Sequence, residues 1–193
     1  METRTVSESR VTLAEVIEPT DANFLGKAFG GALLAKIDLC AYACSSKYAG
    51  TLAVTASFDR VDFHEPIEVG ELVTLEGTIT FVGRSSMEVT IEVFSDNLLT
   101  RQRRHTNTAR VTMVALQDGK PVEVPRLICE SIADKHRFLE GKLRKERRFA
   151  HRAEFETMLG RIRSTPESEL DFMLGAKEIG PLLGGNPPTE EKP

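Results

Sequence analysis

The chain has 193 residues, 40% of them hydrophobic, and a net charge of −4. That length and apolar content fit one domain with an extension, or two small ones, able to bury a core. The negative balance gives no global attraction to nucleic acid or an anionic membrane, and no apolar run reaches the roughly 18 residues a membrane span needs. METRTVSESR is polar and no apolar stretch follows it, so no signal peptide is expected. Three cysteines, Cys40, Cys44 and Cys129, have no CxxC spacing and read as small apolar residues. Together these features lead to the expectation of a cytoplasmic protein.

Val11, Leu13, Glu15 and Ile17 alternate weakly, which predicts a first strand. Glu18 to Asn23, EPTDAN, is rich in turn formers. A helix is predicted from about Gly31 to Ser46. Apart from Lys36 and Asp38 it is apolar nearly all round, the profile of a helix buried on most sides.

Four strands follow by their period of two. Leu52, Val54, Ala56 and Phe58 share one face of the first. Val69, Val73, Leu75, Ile79 and Phe81 share a face of the second, interrupted by Glu71 and Gly77. Met87, Val89, Ile91 and Val93 alternate with Glu88, Thr90 and Glu92 in the third. Val111, Met113 and Ala115 mark the fourth. VGRSS, Val82 to Ser86, is a tight turn, and QDGKP closes the last strand.

One helix cannot cover two sheets. The order therefore predicts an α+β fold, with a single curved antiparallel sheet wrapped around one long central helix. Such a sheet has edges, and pairing across a two-fold axis would hide one. The expected organisation is a domain over 8–125, a charged C-terminal helical extension over 126–180 and a disordered tail over 181–193.

Asp38 stands out because it shares a helical face with Leu34, Ile37 and Ala41. A carboxylate there is a general base or nucleophile, or else a buried group satisfied by a backbone group or a neighbouring subunit's Arg. Asn23 could orient water or donate to an oxyanion, or could simply be a turn or cap residue. Gly30 and Gly31 could present free N–H groups at a helix start, or allow close packing against the sheet. In the VGRSS turn, Gly83 permits backbone approach, Arg84 suits phosphate, and Ser85 and Ser86 offer hydroxyls. Arg101, Arg103, Arg104 and His105 form a basic run that could grip phosphate or be a solvated strand end. His64 has no nucleophile at a recognisable spacing and no second His near it, so neither a triad nor a zinc site is expected. Lys142 to Arg152 reads as a solvated helix face, with nucleic-acid binding the minority reading.

TDANFLGKAFGGALLAKID, VTASFDRVDFHEPIEVGELVTLEGTITFVGRSSMEV and HTNTARVTMVAL, in that order, resemble the hotdog-fold acyl-CoA thioesterases, the cytosolic acyl-CoA hydrolase group above all. The resemblance covers about residues 8 to 125. It implies the hotdog fold and hydrolysis of fatty acyl-CoA to free acid and CoA, without a metal or other cofactor, CoA being part of substrate and product. It implies that Asp38 acts at the thioester and that Asn23 contributes from the partner subunit. Gly83, Arg84, Ser85 and Ser86 would lie along the CoA nucleotide and pantetheine, with Phe63 and His64 nearby, Gly30 and Gly31 at the substrate, and Thr55 supporting Asp38. The implied assembly is a homodimer, and a trimer of dimers as a hexamer. A non-catalytic acyl-CoA-binding sensor or scaffold is the alternative.

Overall fold

Three long apolar alternations fold into three long antiparallel strands, and the helix before them fills their concave side. The computed structural model describes residues 2–59, 61 and 65–184. Its elements are β1 (Thr3–Thr5), α1 (Val6–Ser9), β2 (Val11–Val16), α2 (Gly30–Ala49), β3 (Leu52–Phe58), β4 (Leu72–Val82), β5 (Ser86–Asn97), β6 (Gln102–Gln117), β7 (Lys120–Pro121), β8 (Arg126–Ile128), α3 (Ile132–Ser164) and α4 (Glu167–Leu174). The main sheet runs β2-β4-β5-β6-β3, with β7 beside β6. Its ladders are antiparallel throughout.

Leu33, Ile37, Cys40, Ala41, Cys44 and Tyr48 form the buried stripe of α2, at helical spacing. They pack on Val73, Leu75, Ile79, Met87, Val89, Ile91, Val93, Val111 and Met113 of the sheet. Contact is closest at Gly77, where an added Cβ would sit 2.9 Å from the Cys40 sulfur. Gly50 ends α2 in the left-handed conformation.

The polar face of β5 is not wholly solvated. Glu88 is only 2% exposed. A β-bulge between Ile79 and Phe81 moves Phe81 opposite Glu88, away from the α2 side where Val73 and Leu75 lie. There the Phe81 ring packs against Phe138 of α3, with centroids 5.1 Å apart and the rings tilted at 53°. Gly141 passes directly over Phe81 and Glu88, leaving no room for a Cβ.

β3 also differs from expectation. Leu52, Val54 and Phe58 point away from the core and are 55%, 39% and 38% exposed, while Ala53 is buried. The apolar face of this edge strand is thus the uncovered one. Likewise α2 leaves Leu39 and Tyr42 exposed, so one side of this helix has no cover among the described residues.

Three short elements close the end of the sheet near the C-terminus of α2. β1 and β8 pair in parallel, and α1 between β1 and β2 carries a capping box from Thr5 and Glu8. Ser9 is fully buried; its hydroxyl accepts from the Ile79 amide at 3.0 Å and donates to the Val6 carbonyl at 2.6 Å. Residues 126–128, expected to begin the helical extension, are therefore a strand, held by backbone pairing with β1.

The chain divides between Gly141 and Lys142. The second unit holds the rest of α3, then α4 and a 3₁₀ turn at Pro181–Leu183. The Arg161 guanidinium donates to the Leu183 carbonyl, so residues 181–184 are ordered, although they were expected to be tail. Residues 185–193 lie outside the described residues, as do Phe63 and His64.

Candidate active site

Asp38 sits on the third turn of α2, half-buried, where the helix turns from the core toward its uncovered side. The Thr55 hydroxyl of β3 donates to Asp38 Oδ1 at 2.5 Å. The same hydroxyl lies 3.4 Å from the Met113 sulfur of β6. One carboxylate oxygen is thus oriented by the sheet, and the pair sits beside the exposed apolar residues of α2 and β3.

Asn23 occupies a tight loop before α2. Its side-chain Oδ1 accepts from the amides of Leu25 and Lys27, at 2.9 and 3.1 Å. Its own amide donates to the Lys27 carbonyl at 2.7 Å. With the oxygen engaged, the NH₂ end is the group turned to donate elsewhere. Gly26, at φ +72, makes the reversal that this loop requires. Phe24 and Leu25 at its tip are largely exposed.

A second layer of polar contacts fixes that loop. Ala28 N–H donates to the Ile67 carbonyl at 2.8 Å, and Lys27 pairs with Glu68. Lys36 reaches back from α2 to Glu15 at 2.9 Å and Asp21 at 3.5 Å. Burial pulls the Lys36 ammonium down, but the Glu15 hydrogen bond and the charges of Asp21 and Glu15 outweigh it and raise it above the usual lysine range.

Glu71 is buried and accepts from both Arg104 Nη2 and Ser95 Oγ, at 2.7 and 2.6 Å. Burial alone would raise this carboxyl. The Ser95 bond, the Glu68 amide and Arg104 together hold it below the usual carboxylate range. Arg104 also bonds Glu65 and the Pro66 carbonyl.

Most of the basic run at the start of β6 is therefore consumed structurally. Arg103 pairs with Glu76 at 2.9 Å and lies over the Phe94 ring, and His105 meets Glu92 at 2.7 Å. Glu71 and Arg104 carry no local motif, because they meet across 33 positions of sequence.

Gly30 and Gly31 begin α2, and Phe29 before them supplies no side-chain acceptor. Their amides have no intrahelical partner. An added Cβ on Gly31 would strike the Phe29 ring at 2.4 Å, so the glycine makes space for that side chain. Seven residues separate Gly31 from Asp38, about 10 Å along the helix axis. The helix start and Asp38 thus lie two turns apart on the same helix.

The turn after β4 is closed by Gly83 N–H donating to Ser86 O at 2.7 Å. Gly83 and Arg84 line a cavity of about 110 Å³ with Val82, Glu123, Val124, Pro125 and Arg126. A larger cavity of about 240 Å³ lies on the convex side of the sheet, away from Asp38, among Arg10, Thr78, Thr80, Thr90 and Arg137. Burial pushes the Cys40 and Cys44 thiols up to about 11 and about 12, which removes them as nucleophiles at neutral pH. Among the described residues, no three His, Cys, Asp or Glu side chains gather into a metal-binding group.

A profile described as the thioesterase superfamily matches residues 25–102. The uncharacterized acyl-CoA thioester hydrolase YkhA of Bacillus subtilis is 41% identical over 131 residues, 67% of this chain and 76% of that protein. The chain belongs to the thioesterase superfamily. Its hotdog fold, a curved antiparallel sheet around α2, is the one expected of a thioesterase of this kind. A crystal structure of an apo-hexameric acyl-CoA thioesterase matches with a TM-score of 0.76 at 40% identity, covering 79% of this chain and 99% of that one. The acyl-CoA hydrolase of Staphylococcus aureus, solved with butyryl coenzyme A, coenzyme A and coenzyme A disulfide, matches with a TM-score of 0.74 at 33% identity, covering 84% and 99%. Structures of that thioesterase with an Asn, an Asp or a Thr replaced by Ala match as well. The replaced Asn and Asp stand 15 positions apart and the Thr 17 further on, which is the spacing of Asn23, Asp38 and Thr55.

Proposed function

We propose that this chain hydrolyses fatty acyl-CoA to free acid and CoA, in sites completed across a homodimer. Asp38 and Thr55 of one subunit face Asn23, Gly30 and Gly31 of the other. The observation that carries this reading is the Thr55–Asp38 hydrogen bond, made by two residues whose spacing with Asn23 recurs among the residues replaced in the S. aureus enzyme.

The division between subunits follows from the length of α2. The helix-start amides polarise the thioester oxygen, aided by the dipole. Asp38 lies two turns further along its own helix, so the base reaching that carbonyl comes from the partner copy. The exposed apolar face of β3 and α2 supports the same assembly, because pairing two β3 edges across a two-fold axis covers it. Association of such dimers into a hexamer follows the assembly named for the apo structure.

Asp38 removes a proton from water as the water oxygen bonds to the acyl carbon, or attacks that carbon itself. The C–S bond then breaks and CoA leaves as a thiolate, which needs little acid because a thiol titrates near 8.5. The direct-attack route passes through an acyl anhydride that water then opens. Either route returns the carboxylate and leaves acid and CoA.

Thiol release from a panel of acyl-CoAs, acetyl to palmitoyl, tests the reading with Asp38→Asn beside the unchanged enzyme. A positioned base contributes about 10² to 10⁴ in rate, so the variant is expected to lose at least a hundredfold in kcat. Near-normal turnover by Asp38→Asn would sink the mechanism. Stoichiometric binding with no turnover by the unchanged protein would favour a sensor instead.

A further inference from the structure

Arg4, Arg103 and Arg104 each meet a carboxylate. Arg84 and Arg126 meet none among the described residues, yet both line the same 110 Å³ cavity. They are 42 positions apart in sequence, and main-chain bonds alone hold them there. Val124 N–H donates to the Arg84 carbonyl at 3.0 Å, and Arg126 N–H to the Glu2 carbonyl at 2.9 Å. Residue 126 is also in register with Thr3 in the β1–β8 pair. Neither guanidinium is needed to build the cavity.

The cavity has the volume of about four water molecules at the liquid share of roughly 30 Å³ each. That is room for a phosphate group. Val82, Val124 and Pro125 give it an apolar wall, and Glu123 supplies one opposing carboxylate against two cations. A forked guanidinium pair suits a phosphate oxygen cluster better than a point charge would.

Its distance from the chemistry fits as well. Thr55, which holds Asp38, is in register with Met113, and Met113 with Met87. Two strand spacings of about 4.8 Å, then at most three residues of about 3.3 Å each through the turn to position 84, give no more than roughly 14 Å. From the sulfur of CoA to its first phosphorus is about 13 bonds, an extended reach of roughly 15 Å at the advance of a polypeptide backbone.

We infer that Arg84 and Arg126 together clamp a phosphate group at the nucleotide end of CoA, which makes Arg126 a substrate-binding residue. This rests on the acyl-CoA reading of the site. It adds a second arginine from β8 to the turn that the sequence resemblance singled out.

Arg126→Gln, Arg126→Lys and Glu123→Gln would each be measured with butyryl-CoA and with butyryl-pantetheine, which lacks the phosphates. The Arg126→Gln variant is expected to raise KM for butyryl-CoA about tenfold, the loss of one charge-assisted hydrogen bond. Its kcat and its KM for butyryl-pantetheine stay unchanged. Arg126→Lys recovers part of the loss, and Glu123→Gln lowers KM for butyryl-CoA. Calorimetric titration of CoA against the same proteins reads the clamp without turnover. An unchanged Kd for CoA in Arg126→Gln, no CoA binding at all, or an equal KM rise for the pantetheine substrate overturns the inference. CoA binding weakened in Arg126→Gln, with no turnover by the unchanged protein, keeps the clamp and removes the hydrolase reading.

Discussion

Among the described residues Asp38 is held by one hydrogen bond, and that bond comes from a hydroxyl on a different element. Thr55 has two consequences for the carboxylate. It orients one carboxylate oxygen, and on the proposed mechanism the other meets water or the acyl carbon. Replacing Thr55 by Val keeps the shape and deletes the donor. A hydrogen bond to a charged group is worth about 1.5–3 kcal/mol, so Thr55→Val is expected to lower kcat by roughly tenfold to a hundredfold. KM for acyl-CoA should stay within about twofold, because the nucleotide end lies at a distance. Thr55→Ser keeps the donor and should recover most of the rate. Steady-state kinetics of the two variants decide it: equal losses in Val and Ser would mean that packing beside Met113, not the hydrogen bond, is what matters. The residue itself was legible in the sequence as an anomaly on an apolar helix. Its partner was not legible from pattern, since nothing local links positions 38 and 55; the family resemblance supplied it.

At the scale of elements, the long alternating segments were read nearly in position: β5 and β6 contain the predicted stretches, while β4 starts only at Leu72, leaving Val69 in the turn before it. Their faces were read less well. A bulge carries Phe81 across the sheet, and period two has no memory of an inserted residue. In β3 the apolar face is the outward one, and it stays exposed among the described residues. β1, α1 and β8 were missed, since elements of three or four residues have no period and exist through pairing with distant sequence. The clamp between strands and loop was equally hidden. Glu71 and Arg104 tie the segment after β3 to β6, and that segment in turn anchors the Asn23 loop. Arg104→Met leaves Glu71 buried without its cation, which costs about 3–5 kcal/mol. The wild-type Glu71 carboxyl is lowered on folding. Its contribution is therefore complete above the unfolded carboxylate value of about 4.3 and is lost as pH falls through the lower folded value. Urea unfolding at pH 7 and at pH 4 should show the Arg104→Met deficit shrinking with acid, as the stranded carboxyl takes up a proton. A deficit independent of pH would mean that Arg104 acts through packing alone.

At the scale of the whole molecule, the proposed division of the site between subunits would also account for the uncovered face. Leu39 and Tyr42 of α2 and Leu52, Val54 and Phe58 of β3 expose apolar surface beside Asp38. About 10 Å of helix separates that residue from the amides that would polarise its substrate. On the proposed reading, a monomer has both halves of a site and no complete one. Two predictions separate this arrangement from a self-sufficient subunit. Phe58→Asp together with Leu39→Asp places charges in the face, and should yield a monomer by light scattering with activity lost in proportion to the monomer fraction; a fully active monomer would refute the shared site. The sharper test uses two dead variants. Asp38→Asn and Asn23→Ala are each expected to lose at least a hundredfold in kcat, the usual weight of a positioned catalytic group. Co-expressed with different tags, they assemble at random, so about half of the dimers carry one of each under two-fold pairing. In such a dimer, one site receives both changes and the other receives neither. Doubly tagged dimers should therefore show about half the wild-type rate, and doubly tagged hexamers, in which pure and mixed dimers occur together, about a quarter, with wild-type KM at the surviving sites. If Asn23 and Asp38 of the same chain formed the site, every site in the mixture would carry one change. The doubly tagged dimers would then be as inactive as their parents, and that result would return Asn23 to the role its hydrogen bonds to Leu25 and Lys27 already give it, a residue that shapes a turn.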